Sequence, residues 1–383
     1  MAHIQVAYKQ FPAPDVGHAG GESVYRLLAA LRERGHRLTL VARILDEERV
    51  HLDAVRPLCD RIYTVPHHGS LSGPRPLAVA RSYLALRRTM RRALAESRPD
   101  VLHVEFAQTA VALGGLRHPR TSFRAHDVNW FMMAQQAQQQ TGLANARSRL
   151  LEAVFRRAEP WFYRTFDVIA AISEGDRRLL APRCAPQPVH VLPLSPNLEP
   201  TPDLVPAVAP GPNVLFVGAM WRDYNEAAAQ WFLDAVWPQV RARVPEARFY
   251  IVGSRPSTEM QARADPHVTV TGFVDALAPW YASAAVFVSP MLVAGGLLQK
   301  VVDALGMGVP VVATSASNHG LSATPGEHLC IADDPGAFAD AVVDLLEQPQ
   351  ARAELATAGQ RFIQTHYDPD VTLARWESAL LSL

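Results

Sequence analysis

The chain has 383 residues, too many for one ordinary hydrophobic core and enough for two domains of roughly 150–200 residues. Lysine plus arginine and aspartate plus glutamate both number 37, so the formal net charge is zero and no overall field favours nucleic acid as a partner. The cysteines, Cys59, Cys184 and Cys330, form no CxxC pair, which argues against a disulfide or metal framework and for a reducing compartment.

Two segments bear on membrane targeting. The first residues, MAHIQVAYKQFPAP, contain a lysine and no apolar core, so they do not predict a signal peptide. Residues 280–298 carry no charge and are long enough to suggest a membrane span. Because this stretch contains Pro290, Gly295 and Gly296, AAVFVSP is better interpreted as a short buried strand followed by a loop and a helix. A cytoplasmic protein is therefore expected.

Strands and helices alternate along the N-terminal half. Helices are expected over 22–34, ending at Gly35, over 76–97, and from about 128 to about 166. The apolar runs that predict strands are HIQVAY, RLTLVA, DRIYTVP, DVLHVEF, TSFRAHD, DVIAAIS and HVLPLSP. This alternation predicts a parallel, doubly wound sheet.

A proline-rich segment without periodicity, residues 196–212, is the expected linker to a second domain. Beyond it the pattern restarts, with helices expected over 226–244 and 298–307 and two more near the end. The predicted strands are NVLFVGA, ARFYIVGS, HVTVTGF, AAVFVSP, VPVVATS and HLCIADD.

The prediction is therefore an α/β chain of two Rossmann-like domains, 1–195 and 213–365, that face each other across a cleft. A C-terminal helix within 366–383 is expected to pack back on the first domain. In open parallel sheets ligands bind beyond the carboxyl ends of the strands, so the site is expected in that cleft.

Two loops of the N-terminal half are candidate sites. Gly17, Gly20 and Gly21 follow the first strand and open the first helix, an arrangement that offers backbone N–H groups to a phosphate. Their spacing does not match GxGxxG, and a flexible turn is the alternative. His126 and Asp127 follow the strand TSFRAHD. The histidine could hydrogen-bond a sugar hydroxyl or share a proton, although local sequence alone favours an ordinary loop histidine.

Two further candidates lie in the C-terminal half. Gly218 follows a strand, and Arg222 in the next loop could bind a diphosphate through both edges of its guanidinium. In AGGLLQKVVDALG, two glycines open a predicted helix that carries Lys300 and Asp303 three residues apart. The helix start and Lys300 would attract a phosphate, and Asp303 would accept hydrogen bonds from a ribose. An ion pair between Lys300 and Asp303 on the helix surface is the alternative.

These segments resemble retaining family-4 glycosyltransferases of the GT-B fold. The resemblance is carried by VLFVGAMWRDYNEAAAQWFLDAVWPQV, FYIVGSRP and the stretch from VTVTGFVD to SNHGL in the C-terminal half. In the N-terminal half it is carried by the glycine loop through RERGHRLTLVA, and by PDVLHVEF, AHDVN and IAAISEGD. It covers nearly the whole chain.

The resemblance implies roles for several of these residues. Arg222 and Lys300 would bind the donor diphosphate and stabilise the leaving group, and Asp303 would bind the ribose. Phe273 and Val274 would contact the nucleotide base through their backbone groups.

Further roles follow from the same resemblance. His126 would contact the donor sugar near the reacting carbon, and Gly20 and Gly21 would lie beneath the diphosphate. Ser173 and Glu174 match the family's Ser-Glu pair at the domain junction. The remaining residues of the expected donor site are Gly218, Gly295, Gly296 and Leu297.

The chain departs from the family's pattern at four positions. Gly295 stands where the family has the first of two glutamates, and Asp303 stands where it has the second. Leu298 replaces a basic residue, and Asn129 replaces a glutamate. The side chains expected to recognise the sugar are thus absent, so the resemblance predicts a nucleoside diphosphate but does not identify the sugar.

The helix predicted over 76–97 is rich in arginine, with Arg81, Arg88 and Arg92 on a face away from its apolar stripe. A solvated surface is the preferred interpretation. The alternative is peripheral contact with an anionic membrane, at the inner face of the cell membrane, or with a lipid-diphosphate acceptor.

The expected function is metal-independent transfer of a sugar from a UDP-, GDP- or TDP-linked donor to a glycan, lipid-linked or small-molecule hydroxyl. No separate cofactor is expected. Retention is expected from the resemblance, and Asp127 is the expected base if the reaction inverts instead. The alternatives are a nucleotide-sugar 2-epimerase, for which no acidic cluster is evident, and a non-catalytic nucleotide-sugar-binding protein.

Overall fold

A computed structural model of the chain describes residues 1–14, 19–68, 76–114, 116, 118–198, 200–293 and 296–381. They form two compact units. The first consists of Met1–Pro193 together with Asp370–Leu383, and the second of Leu194–Pro369. The chain therefore returns to the first unit after it completes the second.

Each unit is built on one parallel sheet, and both sheets have the same strand order at their centre. In the first unit the order is β3-β2-β1-β4-β5-β6-β7. Its strands are β1 (His3–Tyr8), β2 (Arg37–Ile44), β3 (Arg61–Pro66), β4 (Val101–Glu105), β5 (Thr121–Ala125), β6 (Val168–Ala171) and β7 (Val189–Val191). The prediction of a doubly wound parallel sheet is confirmed here.

In the second unit the order is β10-β9-β8-β11-β12-β13. Its strands are β8 (Asn213–Val217), β9 (Arg248–Val252), β10 (Val268–Gly272), β11 (Val286–Ser289), β12 (Val311–Ala313) and β13 (Cys330–Ile331). The central strands β8 and β11 are buried along their whole length, as expected for a parallel sheet covered on both faces.

Helices connect successive strands. In chain order they are α1 (Ala19–Glu33), α2 (Leu52–Val55), α3 (Pro76–Ser97), α4 (Ala107–Ala112), α5 (Asn129–Gln139), α6 (Gly142–Tyr163), α7 (Glu174–Cys184), α8 (Asp223–Trp231), α9 (Trp237–Arg243), α10 (Thr258–Gln261), α11 (Ala278–Ser283), α12 (Gln299–Gly306), α13 (Ser315–Asn318), α14 (Pro335–Glu347), α15 (Pro349–His366) and α16 (Pro369–Leu381). A 3₁₀ turn, Glu47–His51, precedes α2.

The first sheet buries both faces because its side chains alternate between them. Ile4, Val6 and Tyr8 of β1 pack in one cluster with residues of α1 and with Trp376 of α16. Ala7 of the same strand packs on the opposite face, in a cluster that includes residues of α3 and α6. Thus α3 and α6 cover one face of the sheet, and α1 and α16 cover the other.

Two predicted helices are divided in the structure. The stretch expected to be helical from about 128 to about 166 forms α5 and α6, which are separated at Gln140 and Thr141. The helix expected over 226–244 is divided into α8, a π-helical turn over Phe232–Val236, and α9. Pro238 lies at the start of α9, and a proline has no N–H to continue the α-helical hydrogen bonding.

The proline-rich segment at 196–212 belongs to the second unit. The backbone N–H of Asn197 donates to Asp303 Oδ1 at 2.7 Å, and that of Ala207 donates to the Pro279 carbonyl at 3.0 Å. These hydrogen bonds attach the segment to helices α11 and α12 of the second unit.

The uncharged stretch at 280–298 contains β11, as the sequence predicts. Among the described residues, no helix has both the length and the apolar character needed to cross a bilayer.

Candidate functional site

The strand order of the second sheet reverses between β8 and β11. In open α/β sheets this reversal leaves a crevice at the carboxyl ends of the two strands, where ligands bind. Gly218 follows β8 directly, and α12 begins ten residues after β11 ends, at Gln299. Three predicted site residues, Gly218, Arg222 and Lys300, are brought together at this point.

Gly218 has no room for a side chain. A Cβ there would lie 2.9 Å from Asn225 Cγ and 3.1 Å from Lys300 Nζ. Just beyond the end of β9, a Cβ at Gly253 would overlap the Gly218 carbonyl. The two glycines allow the ends of β8 and β9 to approach closely and leave the space above Gly218 to the lysine and the asparagine.

Lys300 extends from the first turn of α12 towards the end of β8. Its ammonium donates to Asn225 Oδ1 at 2.7 Å and lies 4.4 Å from the centre of the Phe216 ring. Burial, together with the nearby positive charge of Arg222, lowers the pKa of Lys300 to about 7. The environment thus disfavours the protonated, positively charged form of the Lys300 amine.

Arg222 lies at the N-terminus of α8, where the helix dipole is also positive. Its guanidinium donates to the Tyr224 hydroxyl at 2.6 Å and lies 4.9 Å from the Trp221 ring. Within the described ranges, neither Arg222 nor Lys300 lies within ion-pair distance of a carboxylate. Two cations without a carboxylate partner beside a helix N-terminus are a candidate site for an anion.

Asp303 is hydrogen-bonded to groups other than these two cations. Its side chain is buried, and Oδ1 accepts hydrogen bonds from the Asn197 N–H at 2.7 Å and from Gln299 Nε2 at 2.9 Å. The surface ion pair between Lys300 and Asp303, which the sequence left as an alternative, is not formed. Each side chain has a nearer partner of its own, Asn225 for Lys300 and Asn197 for Asp303.

The other residues of the expected donor site are distributed over neighbouring loops. Gly296 is buried with a φ of +51°, and a Cβ at Gly320 would overlap its carbonyl. Leu297 is buried. After β10, Phe273 is 68% exposed and Val274 is half-buried. Gly295 lies outside the described residues.

A second candidate site lies at the corresponding reversal in the first sheet, between β1 and β4. The ring of Phe106 stacks on His126, with the two ring centres 3.6 Å apart. A Cβ at Gly20 would lie 2.9 Å from Phe106 Cζ, so a larger residue at this position in α1 would require the Phe106 ring to shift. Lys9 lies over the same ring, 4.2 Å from its centre. Phe106 has a φ of +69°, which is costly for a residue with a side chain. Gly21, next to Gly20, is buried in the first turn of α1.

A buried charged cluster holds His126 in place. Glu105 ends β4 and is the register partner of Arg124 on β5. Its carboxylate accepts from Arg124 Nε at 3.0 Å and is hydrogen-bonded to His126 Nε2 at 2.7 Å and to His103 Nε2 at 2.9 Å. His103 is in turn 2.6 Å from the Ser122 hydroxyl. These side chains share one face of the sheet because they alternate along β4 and β5.

The cluster shifts the acidity of its members. Burial alone would raise the pKa of Glu105, but the charge of Arg124 and the bonds to His103 and His126 outweigh it, so this pKa is well below its usual range. Burial lowers the pKa of His126 although Glu105 acts in the opposite direction. The chemistry available here is a neutral imidazole whose Nε2 is occupied by a carboxylate.

Asp127 is half-buried and lies near other acidic groups. Burial raises the pKa of Asp176 to about 7, and the negative charge of Asp127 adds to this increase. Ser173 is the N-cap of α7 and accepts from the Asp176 N–H at 2.9 Å, whereas Glu174 pairs with Arg177 at 2.6 Å. In this unit the Ser-Glu pair therefore begins a helix.

Several residues of these sites were not identified from the sequence. Glu105 and Arg124 lie inside strands, and Lys9 and Phe106 lie just beyond strand ends. A signal was present, because His103 and Glu105 repeat with a period of two inside an otherwise apolar strand. Asn225 was noted only as part of a motif, and its contact with Lys300 depends on elements 75 residues apart.

The arginine-rich helix α3 lies on the first unit. Arg81, Arg88 and Arg92 are exposed, as the sequence predicts. Arg92 Nε pairs with Glu96 Oε1 at 2.6 Å, which offsets part of the positive charge at the end of the helix.

Comparison with known proteins yields two family matches. Residues 20–199 match the family described as Glycosyltransferase Family 4, and residues 211–348 match the family described as Glycosyl transferases group 1. A Klebsiella pneumoniae protein named "Uncharacterized 44.6 kDa protein in cps region" is 28% identical over 165 residues. That match takes in 41% of this chain and spans 42% of the length of the curated relative.

Solved structures share the fold over nearly the whole chain. Sucrose-phosphate synthase from Thermosynechococcus elongatus is similar with a TM-score of 0.77 at 17% identity, covering 98% of each chain. HepE from Anabaena, solved with UDP and glucose, gives a TM-score of 0.68 at 13% identity and covers 100% of each chain. TarM, a protein of S. aureus, gives 0.70 at 10% identity and covers 99% of each. At these identities the likeness establishes the fold.

Proposed function

Since the chain belongs to the group 1 glycosyltransferases of the GT-B fold, we propose that it transfers a sugar from a nucleoside diphosphate donor to an acceptor hydroxyl. One observation carries the proposal. Arg222 and Lys300 converge at the reversal point of the second sheet without a carboxylate partner among the described residues. A diphosphate supplies the negative charge that this pair lacks.

Breaking the bond between the sugar and the diphosphate places growing negative charge on the leaving phosphate. Fixed cations that are already in position stabilise this charge without reorganisation during the reaction. Arg222, Lys300 and the N-terminus of α8 supply that stabilisation, so we propose a reaction that needs no metal ion. Because HepE was solved with UDP and glucose, a UDP-sugar is the first donor to test.

We propose that the reaction retains the configuration at the anomeric carbon of the transferred sugar. The leaving phosphate, held by the two cations, would accept the proton of the attacking hydroxyl on the same face of the sugar. His126, with Nε2 bonded to Glu105, would contact the sugar through its remaining ring edge. If the reaction inverts, Asp127 is the carboxylate proposed as base.

The acceptor is proposed to be a glycan or a lipid-linked saccharide, with a small molecule as the other class. Support comes from the name of the Klebsiella relative, which refers to a cps region. Peripheral contact with an anionic membrane through Arg81 and Arg88 of α3 forms part of the same proposal.

Replacement of Lys300 tests the donor site. We expect Lys300→Ala to raise the activation free energy that kcat/KM reports by at least about 2 kcal/mol. This is roughly the loss of one preorganised donor to a developing anion. Steady-state transfer assays with the preferred donor measure this change. Arg248→Ala is the matched control, since Arg248 is an exposed basic residue at the amino end of β9, opposite to the strand ends that carry the site, and should leave donor binding intact. Near-normal kcat/KM in Lys300→Ala would refute the assignment.

The donor is found by a thermal-shift screen against UDP-, GDP-, ADP- and TDP-sugars, because a ligand that binds only the folded protein raises Tm by mass action. We expect a rise in Tm with one nucleotide class that is absent in Lys300→Ala and retained in Arg248→Ala. Product analysis with that donor and no acceptor then separates a transferase from a 2-epimerase, which would convert the donor alone.

A further inference from the structure

Helix α6 carries a stripe of exposed apolar side chains that the proposed reaction does not use. Leu143 is 90% exposed, Leu150 66%, Val154 51% and Trp161 65%. Their spacings of seven, four and seven residues place all four on one line along the helix. The inward residues Phe155, Phe162 and Tyr163 pack against the first sheet, so the stripe is on the opposite, outer side.

Arginines border this stripe. Arg147 follows Leu143 by four residues, and Arg157 follows Val154 by three, which places one arginine on each flank. Both are exposed, and neither forms an ion pair within the described ranges. The acidic residues of α6 do not offset them, because Glu152 is paired with Arg156 and Glu159 is buried.

Helix α3 extends the same surface. It packs on the same core cluster as α6, through Leu86 and Met90, and therefore lies on the same face of the sheet. Its outer side presents Leu84, which is 56% exposed, next to Arg81 and Arg88. This face of the first unit is thus basic and apolar, although the chain as a whole carries no net charge.

We propose that the outer stripe of α6 binds the surface of an anionic phospholipid bilayer. A helix that lies in the membrane interface inserts one apolar line and keeps basic side chains beside it to meet the lipid phosphates. Trp161 has the amphipathic ring that is favoured at the headgroup level, and Arg147 and Arg157 can extend their charged ends to the phosphates. The binding extends the membrane contact proposed for α3 and does not depend on catalysis.

Charge complementarity selects a bilayer over a second copy of the chain. Twofold pairing of α6 with itself would bring the arginines of one stripe against those of the other, with no carboxylate on the stripe to separate them. An anionic lipid surface instead attracts each arginine that lies near it.

Sedimentation of the full chain with phosphatidylcholine vesicles, with and without phosphatidylglycerol, tests the proposal. We expect binding to the vesicles that contain phosphatidylglycerol and a decrease with added salt. The double variants Leu150→Ser/Trp161→Ser and Arg147→Glu/Arg157→Glu should each reduce the partition coefficient at least about tenfold. The control Val205→Ser/Arg375→Glu changes an exposed apolar residue of the second unit and an exposed basic residue of α16, which covers the other face of the first sheet, and should bind as the wild type does.

Other results would overturn the proposal. They are equal binding of both α6 variants and the wild type, no binding of the wild type, and a concentration-dependent dimer that the α6 variants lose. An effect confined to Arg81→Glu/Arg88→Glu would support the α3 contact and refute the α6 surface. Because all substituted α6 residues are exposed, unchanged Tm values show that folding is not the cause of a loss.

Discussion

At the scale of single residues, lysine is rare in this chain. Of the 37 residues that are lysine or arginine, only Lys9 and Lys300 are lysine. Each lies near the point where the strand order of its own sheet reverses. A lysine changes its pKa readily when it is buried, whereas an arginine remains charged. The choice of lysine at 300 therefore makes the charge of the proposed diphosphate site responsive to pH.

Donor affinity should depend on pH near neutrality. The pKa of Lys300 is about 7 in the free protein, and a bound diphosphate favours the ammonium form, so binding raises that pKa. Affinity should be highest below pH 7 and fall by up to about tenfold per pH unit above it, with proton uptake on binding. Calorimetry with a nucleotide sugar in buffers of different ionisation enthalpy measures both. A profile that is flat from pH 6 to pH 9 would contradict this.

The buried carboxylate of Glu105 should contribute strongly to the stability of the first unit. Glu105→Gln leaves Arg124 and the two histidines without their shared anion, so we expect the free energy of unfolding to fall by about 3–5 kcal/mol. Urea denaturation measures the change. Ser122→Ala, at the edge of the cluster, should cost less because it removes one neutral partner. A loss below about 1 kcal/mol in Glu105→Gln would show that water screens the cluster.

At the scale of elements, both units have strand ends that lead into helix starts. Gly218 and Arg222 connect β8 to α8, and Ser173 connects β6 to α7. Helix N-termini offer unpaired N–H groups, which are satisfied by a ligand or by a capping side chain. Arg222 makes no side-chain capping bond, whereas Ser173 makes one. This difference separates a helix start available to an anion from one that is already capped.

The structural interpretation of Ser173 leads to a testable difference. Ser173→Ala should lower the free energy of unfolding by about 1 kcal/mol, because the Asp176 N–H loses its cap and the buried Asp176 carboxyl loses its 2.8 Å bond from the hydroxyl. Thermal and urea denaturation measure it. The neighbouring Glu174→Ala removes only a surface ion pair and should change stability by less than about 0.5 kcal/mol. Equal effects of the two substitutions would argue against the cap.

At the scale of the whole molecule, the chain returns to its first unit through α16. Trp376 is fully buried there and meets the ring of His103 edge-on, with the ring centres 4.8 Å apart. Glu377 pairs with His36 at 2.6 Å and with Arg34 at 2.7 Å. The last helix therefore completes the side of the first sheet that holds the charged cluster.

Removal of this aromatic anchor should weaken one unit more than the other. We expect Trp376→Ala to cost about 3–5 kcal/mol, as is typical for a large buried aromatic side chain. Hydrogen exchange should show faster exchange in β1 and β4 and unchanged protection in β8 and β11. Trp161→Ala, at an exposed position, is the control. A uniform loss of protection over both sheets would contradict the assignment of α16 to the first unit.

The sequence by itself determined the two doubly wound sheets, the bounds of α3, and the glycines and cations at the ends of β8 and β11. These properties follow from periodicity, glycine placement and local motifs, which act within a few residues. Only the tertiary structure decided that Lys300 pairs with Asn225, that Asp303 turns to Asn197, and that Glu105 binds two histidines and an arginine. Such contacts depend on strand register and helix packing between distant segments, and in a buried environment each polar group bonds whichever partner the fold brings nearest.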